Sequence, residues 1–278
     1  MKCRLTLHYT DDDVNGLDES RLAFFRYQNM TWQYVGGAAT SSDNKLVIDL
    51  DQPGLYAVFE ESLPRLNLRL FLEGLTVQAE QMQSVWAVND NLPQISPYAD
   101  QRLAVSVSAD IVDWVSVSLR TAADGPDVWQ RSYLLNTDGH VVDPIRESQP
   151  IRLPELVPGD YYAVIRHNAH LTFMSANSTA IVNSPVSTFD FSSSENSAYG
   201  SNAMKQMFNQ TWASIGGDFN QDGLLNSLDY VQFYNAKHTA DPAYNRHDIS
   251  GDGVINYADR DIWLQNASQN YRSRVPSE

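Results

Sequence analysis

Short runs of alternating hydrophobic and polar residues fill most of this chain. From Arg4 to Tyr9 the apolar positions Leu5, Leu7 and Tyr9 fall on one side, and Arg4, Thr6 and His8 on the other. That is the period-two signature of a half-buried strand. Residues 22–27, 31–35, 45–50 and 56–59 continue the pattern, with turn chemistry at 41–44 and at Pro53 and Gly54. About five strands in residues 1–62 are few for a self-sufficient sandwich. We expect this segment to be the closing part of a larger β-domain, with Met1 an internal or artificial start. A second β region follows, with strands predicted at 66–72, 82–86, 103–107, 114–119, 128–135, 150–153, 161–166, 171–174 and 186–191. Asp138 and Gly139 suit a tight hairpin. Many short, evenly spaced strands predict an antiparallel, Ig-like β-sandwich over 66–191. Residues 192–215 are rich in Ser and Asn, above all near their start, and read as a linker.

Beyond residue 216 the period changes. Asp218, Asn220, Asp222, Gly223, Leu224, Leu225, Asn226 and Asp229 match Asp248, Ser250, Asp252, Gly253, Val254, Ile255, Asn256 and Asp259 position for position, an internal repeat of two 12-residue loops. Oxygen side chains fall at loop positions one, three, five, nine and twelve, and the carbonyls of Leu224 and Val254 supply the seventh. Such a set suits calcium, which takes roughly six to eight hard oxygens. Nitrogen and sulfur ligands are missing from it, which disfavours zinc. Gly223 and Gly253 stand where the chain must turn sharply around an ion. The sequence therefore predicts two Ca²⁺ sites. Leu225 and Ile255, both at the eighth position, are expected to meet across a short β-bridge. Asn226 with Asp229, and Asn256 with Asp259, resemble capping boxes that open helices over 227–236 and 257–266. Leu228, Val231 and Tyr234 are expected to form the buried stripe of the first helix, and Ala258, Ile262 and Trp263 that of the second. Neither loop is preceded by an amphipathic helix, and Asp241 and Pro242 interrupt the second approach, so each unit reads as loop–helix.

Composition narrows the function classes. The chain has 278 residues, with 34 acidic against 19 basic, a net charge of −15. A surface so acidic repels phosphate and argues against nucleic acid and anionic membranes. A single cysteine, Cys3, forbids an internal disulfide. No apolar run reaches the length of a membrane span, and the first residues lack the apolar core of a signal peptide.

The stretch from Gly217 to about Tyr271 resembles the dockerin modules of bacterial extracellular proteins, with twin loops that end in Asp and are each followed by one helix. The resemblance implies a dockerin-like module over 216–271, calcium-coupled folding, and docking onto a cohesin-like or other extracellular protein partner. It also implies a secreted or cell-surface setting alongside polysaccharide-degrading machinery. In the family the partner is read at the tenth and eleventh loop positions, which here are Ser227 and Leu228, and Tyr257 and Ala258, rather than paired hydroxyl residues. The upstream β segments are similar to those that precede such repeats in large secreted proteins of environmental bacteria.

Other signals are weaker. Asp11, Asp12 and Asp13 begin like a calcium loop, but the twelfth position is Leu22, so an acidic turn is expected. His167 and His170 span a turn and are expected to be partly exposed, not metal ligands. There is no G-x-S-x-G, H-E-x-x-H or P-loop, and no catalytic residue is assigned. The tryptophans Trp32, Trp86 and Trp129 are expected to fill cores more readily than to stack on sugars. The leading reading is a non-catalytic docking region. Two alternatives stay open: the accessory region of a carbohydrate-active hydrolase or that hydrolase itself, and an adhesion or carbohydrate-binding sandwich.

Overall fold

A computed structural model describes residues 3–40, 43–50, 52–77, 80–145, 147, 149–207, 210–238 and 244–276. Part of the expected turn at 41–44, and Asp241 and Pro242, lie outside the described residues. The fold is mainly β with two C-terminal helices, as the sequence predicts. The chain divides into two compact units, Met1–Leu63 and Pro64–Glu278.

The first unit holds β1 (Cys3–His8), β2 (Leu22–Gln28), β3 (Thr31–Gly36), β4 (Ala38–Thr40), β5 (Lys45–Leu50) and β6 (Tyr56–Glu60). They form two three-stranded sheets, ordered β1-β5-β4 and β3-β2-β6. Phe24, Leu46 and Ile48 are its buried centre. The alternation in β1 buries less than expected, since Leu7 is exposed. Asp11, Asp12 and Asp13 lie in a run of turns, where Asp13 accepts from the Thr10 main chain and hydroxyl.

The second unit begins with β7 (Arg65–Arg69), β8 (Thr76–Val77), β9 (Gln81–Met82) and α1 (Val85–Val88). It continues with β10 (Ile111–Arg120), β11 (Trp129–Asn136), β12 (Val141–Val142) and β13 (Ile151–Arg152). Then come β14 (Gly159–His167), β15 (His170–Met174), β16 (Thr179–Ile181), β17 (Ser187–Asp190), β18 (Lys205–Gln206), β19 (Trp212–Ala213), α2 (Ser227–His238) and α3 (Tyr257–Ser268). The larger sheet runs β12-β11-β10-β14-β15, with β16 also paired to β14, all antiparallel. The smaller sheet, β13-β7-β17, is mixed, because β17 runs parallel to β7. Leu66, Leu68, Ile151 and Phe189 of the smaller sheet share one apolar core with Val115, Val117, Leu135, Ala163 and Phe173 of the larger. All ten residues of β10 are buried. Its polar positions are satisfied by neighbours: Gln130 donates to Ser116, Arg166 donates to Ser118, and Arg120 and Arg166 both reach Asp127.

Two predicted strands take another form. Within 82–86 the ladder ends at Met82 and the chain coils into α1, which buries Trp86 and Ala87. Across 103–107 only Leu103 bridges, to Ile95, and Leu103 and Val105 stay exposed. A larger correction concerns 192–215. The segment expected as a linker is packed into the second unit, with Ala198, Ala203, Met204, Ala213, Ser214 and Ile215 buried. Its serines satisfy local polar groups, as when Ser194 accepts from the Asn196 amide and Ser192 donates to Asp190, so its polarity does not require water.

The β14–β15 turn is also unlike its prediction. His167 and His170 are buried, at 4% and 2% exposure. His167 Nε2 lies 3.1 Å from Asp113 Oδ2, the two Nδ1 atoms are 2.8 Å apart, and His170 Nε2 is 2.9 Å from the Glu73 carbonyl. The Ala169 amide also donates to His167 Nδ1, at 3.3 Å. Burial, then the neighbouring His167, pushes the His170 pKa well down. This relay fixes the turn that meets the C-terminal loops.

Trp114 is fully buried and its indole N–H donates to the Pro93 carbonyl at 2.8 Å. Trp114→Ala is expected to cost about 3–5 kcal/mol of stability in the second unit, measured by urea denaturation.

Candidate metal centre

Several hydrogen bonds recur at matching positions of the two C-terminal loops. Asp229, at the twelfth position of the first, accepts from the Asn220 amide at 3.2 Å and the Asn226 amide at 2.9 Å. Asp259 accepts from the Ser250 and Asn256 amides at 2.9 and 2.8 Å. Asp218 accepts from Gly223 N–H, and Asp248 from Gly253 N–H. Asp222 and Asp252 accept from Leu224 and Val254 N–H. Gly223 and Gly253 have φ of +78° and +88°, the left-handed turn that places these amides inside the loop. Asn226 and Asn256 then cap the helices that follow, through Leu228 and Ala258 N–H.

The carboxylates are buried against one another. Asp218, Asp229, Asp248 and Asp259 are each at most 2% exposed. Burial, then the charge of Asp229, raises the Asp218 pKa to about 7. Burial, then Asp259, raises Asp248 to about 6. Burial also raises Asp229 and Asp259, against the pull of the amides they accept from. Asp218 Oδ1 is buried and makes no hydrogen bond of ordinary geometry. A buried acceptor without a donor, among like charges, is what a cation would relieve. Among the described residues no three His, Cys, Asp or Glu side chains converge to hold a metal by themselves. The remaining donors are the side-chain oxygens of Asn220, Asn226, Ser250 and Asn256 and the carbonyls of Leu224 and Val254, hard oxygens that suit calcium.

Both helices extend two residues past the predicted ends. The face that α2 buries differs from prediction. Leu228, Val231 and Tyr234 are exposed, and Asp229, Phe233 and Ala236 are buried instead. The twelfth-position carboxylate must point back into its own loop, and the residues four and seven further on share its side of the helix. In α3 the same rule buries Asp259 and Asn266 and leaves Ala258 exposed, with Ile262 and Trp263 half-buried. Ser227, Leu228, Tyr257 and Ala258 all face solvent at the starts of the helices. Leu225 and Ile255 do not meet. Leu224 bridges Arg272, Leu225 packs with Leu171 and Ile215, and Ile255 packs with Phe219, Phe233 and Ile249. Phe219 and Ile249, both at the second loop position, are the buried anchors. Their shared place in the repeat was the signal that could have found them.

The sandwich completes this centre. Ala169 of the β14–β15 turn joins the Phe219 cluster, and Leu171 joins Leu225. Glu73 is buried and accepts from Gly216 N–H at 3.0 Å and Asn266 Nδ2 at 2.6 Å, and it pairs with Lys205. Gly74, at φ +85°, lies so close to the second loop that a Cβ would stand 2.0 Å from the Ile249 carbonyl oxygen. None of these residues carries a sequence signal, because their partners are far away along the chain.

No family model matches the chain, and no curated protein does. Among solved structures, the chain is similar to two chains of type II cohesin–X-dockerin complexes from Acetivibrio cellulolyticus, one an N-terminal and the other a C-terminal interface mutant. The identities are 14% and 15% and the TM-scores 0.37 and 0.36; each likeness covers 73% of this chain and 94% of that one. Overlap at this level says nothing of what this chain binds.

Glu73→Ala strands three donors at the seam and is expected to cost at least ~2 kcal/mol. Glu73→Gln, which keeps an acceptor, should cost less; urea denaturation of the two variants checks the order.

Proposed function

We propose that residues 216–271 are a dockerin-like module that folds around two Ca²⁺ ions and docks a protein partner. Asp218, Asn220, Asp222, Leu224, Asn226 and Asp229 would hold one ion, and Asp248, Ser250, Asp252, Val254, Asn256 and Asp259 the other. The observation that carries this reading is the buried, unmatched Asp218 Oδ1 among like-charged carboxylates, within a loop whose pattern recurs 30 residues later. Calcium would supply the positive charge that these carboxylates lack. The chain's own part is to present the oxygens: the left-handed glycines turn the loops, and the twelfth-position aspartates tie each loop to its helix.

Docking would use the solvent-facing side of the helices. Leu228, Val231 and Tyr234 on α2, with Tyr257 and Leu264 on α3, are large apolar side chains exposed by about half or more. Such apolar positions on paired helices suit a protein surface better than a polar ligand. Ser227 and Ala258 lie beside them. The proposed setting is extracellular, where calcium is abundant, and the role is non-catalytic. Among the described residues no helix is long and apolar enough to cross a membrane.

The test uses the whole chain. Calcium at ~100–1,000 times its dissociation constant should stabilise the second unit by roughly 3–4 kcal/mol per site. Magnesium, which dehydrates reluctantly, should do much less. Asp218→Asn and Asp248→Asn should each abolish one of two binding steps in a calorimetric titration. A thermal midpoint unmoved between chelator and millimolar calcium would sink the reading.

A further inference from the structure

Where the sandwich meets α3, an amine, an amide and a carboxylate converge away from water. Glu73 follows β7, Lys205 lies in β18 and Asn266 in α3. Asn266 is fully buried and Glu73 is 4% exposed. The Lys205 side chain, which reaches in from the edge, is 24% exposed.

The neighbours of Asn266 fix which way its amide points. Nδ2 lies 2.6 Å from Glu73 Oε2 and 3.0 Å from the Gly216 carbonyl, and both of these take only donors. The NH2 end therefore sits there, and the carbonyl end turns to Lys205. Lys205 Nζ donates to Asn266 Oδ1 at 2.9 Å, which holds the amine beside the amide carbon. Nζ also donates to Glu73 Oε1. One carboxylate thus holds both a nitrogen placed to attack and the nitrogen that would leave. A structural ion pair would need Glu73 and Lys205 alone. Asn266 adds an electrophile, with its leaving group on the same base.

A lysine amine becomes a nucleophile once it gives up a proton, and a carboxylate in hydrogen-bond contact can take it. Passing that proton to Glu73 replaces two charges by none, which a site closed to water favours. The fold holds amine and amide in contact, so the entropy of bringing them together is already spent. We propose that Lys205 and Asn266 form an intramolecular isopeptide bond, with Glu73 as its general base and acid. Glu73 Oε1 takes a proton from the Lys205 ammonium, and the freed lone pair of Nζ forms a bond to Asn266 Cγ. Glu73 gives that proton to Nδ2 as the Cγ–Nδ2 bond breaks, and takes the second proton from Nζ. Ammonia leaves and carries off this last proton as ammonium, so Glu73 ends as the carboxylate it was. One primary amide becomes one secondary amide, and no oxidant or co-reactant is needed. Dilution of the released ammonium draws the exchange forward. The bond ties β18 to α3 across the seam and uses none of the loop oxygens.

Mass spectrometry of the full chain, purified in calcium-containing buffer and then denatured, tests this. The chain should weigh one ammonia less than its sequence. A digest should contain a branched peptide that joins the segments carrying Lys205 and Asn266. Both readouts are taken on the unsubstituted protein and need no variant to fold. Lys205→Arg, which keeps a cation beside Glu73, should restore the sequence mass and remove the branched peptide. Glu73→Gln should leave freshly purified protein unlinked, since loss of the acid and base slows such a step by about a hundredfold or more. An unsubstituted chain at its full sequence mass overturns the proposal. So does an ammonia loss that maps to Asn15, whose neighbour Gly16 permits a succinimide instead. A link that persists in freshly purified Glu73→Gln overturns it as well.

Discussion

The second unit depends on a buried carboxylate. Glu73 stands at the end of the first long stretch of the sandwich, and its side chain collects Lys205, the Gly216 amide and Asn266 of α3. Its carbonyl receives His170, whose partner His167 is held by Asp113. One residue thus joins four segments that are far apart along the chain. A charge buried this deeply is tolerated only because each oxygen has a donor. Gly74, beside it, lets the backbone approach the second loop to a distance no side chain could share. The loops and helices therefore rest on the sandwich, and their apolar centre borrows Ala169, Leu171 and Ile215 from it.

The loops show the opposite electrostatic arrangement. Glu73 is surrounded by donors and a lysine, whereas Asp218 and Asp248 face carboxylates of their own sign. Main-chain amides offset part of that cost and also organise the loop, since they tie the twelfth-position aspartate to residues three and nine. The same aspartate dictates how the following helix is rotated. A face that begins with an inward carboxylate continues with Phe233 and Ala236 in α2, and with Asn266 in α3. The large apolar residues between them are left in solvent. Under the proposed function, the ion site and the docking surface follow from one rotational constraint.

Much of this was legible in the sequence, and the misreadings have physical causes. The loops, their glycines and their caps were readable because every interaction within them is local. The helix stripe was misassigned because hydrophobicity alone ranks Leu228 and Val231 above Asp229 as core, while loop geometry reverses that order. The segment 192–215 reads as a linker because its serines and asparagines are polar. Those groups find partners on nearby chain, and the few apolar residues among them are enough to bury it. His167 and His170 read as a solvent-facing turn because Asp113 and Glu73, which satisfy them, lie 54 and 97 residues away.

The sequence by itself determined the strand-rich fold, the change of period near residue 216, and the twin oxygen-lined loops with their helices. These rest on alternation, turn chemistry and spacing, which act over a few residues. Only the tertiary structure decided which helix faces are buried, that the loops are completed by the sandwich, and that Lys205 and Asn266 meet on Glu73. Each of those outcomes requires groups distant in sequence to satisfy one another's hydrogen bonds and charge, and no local pattern encodes that pairing.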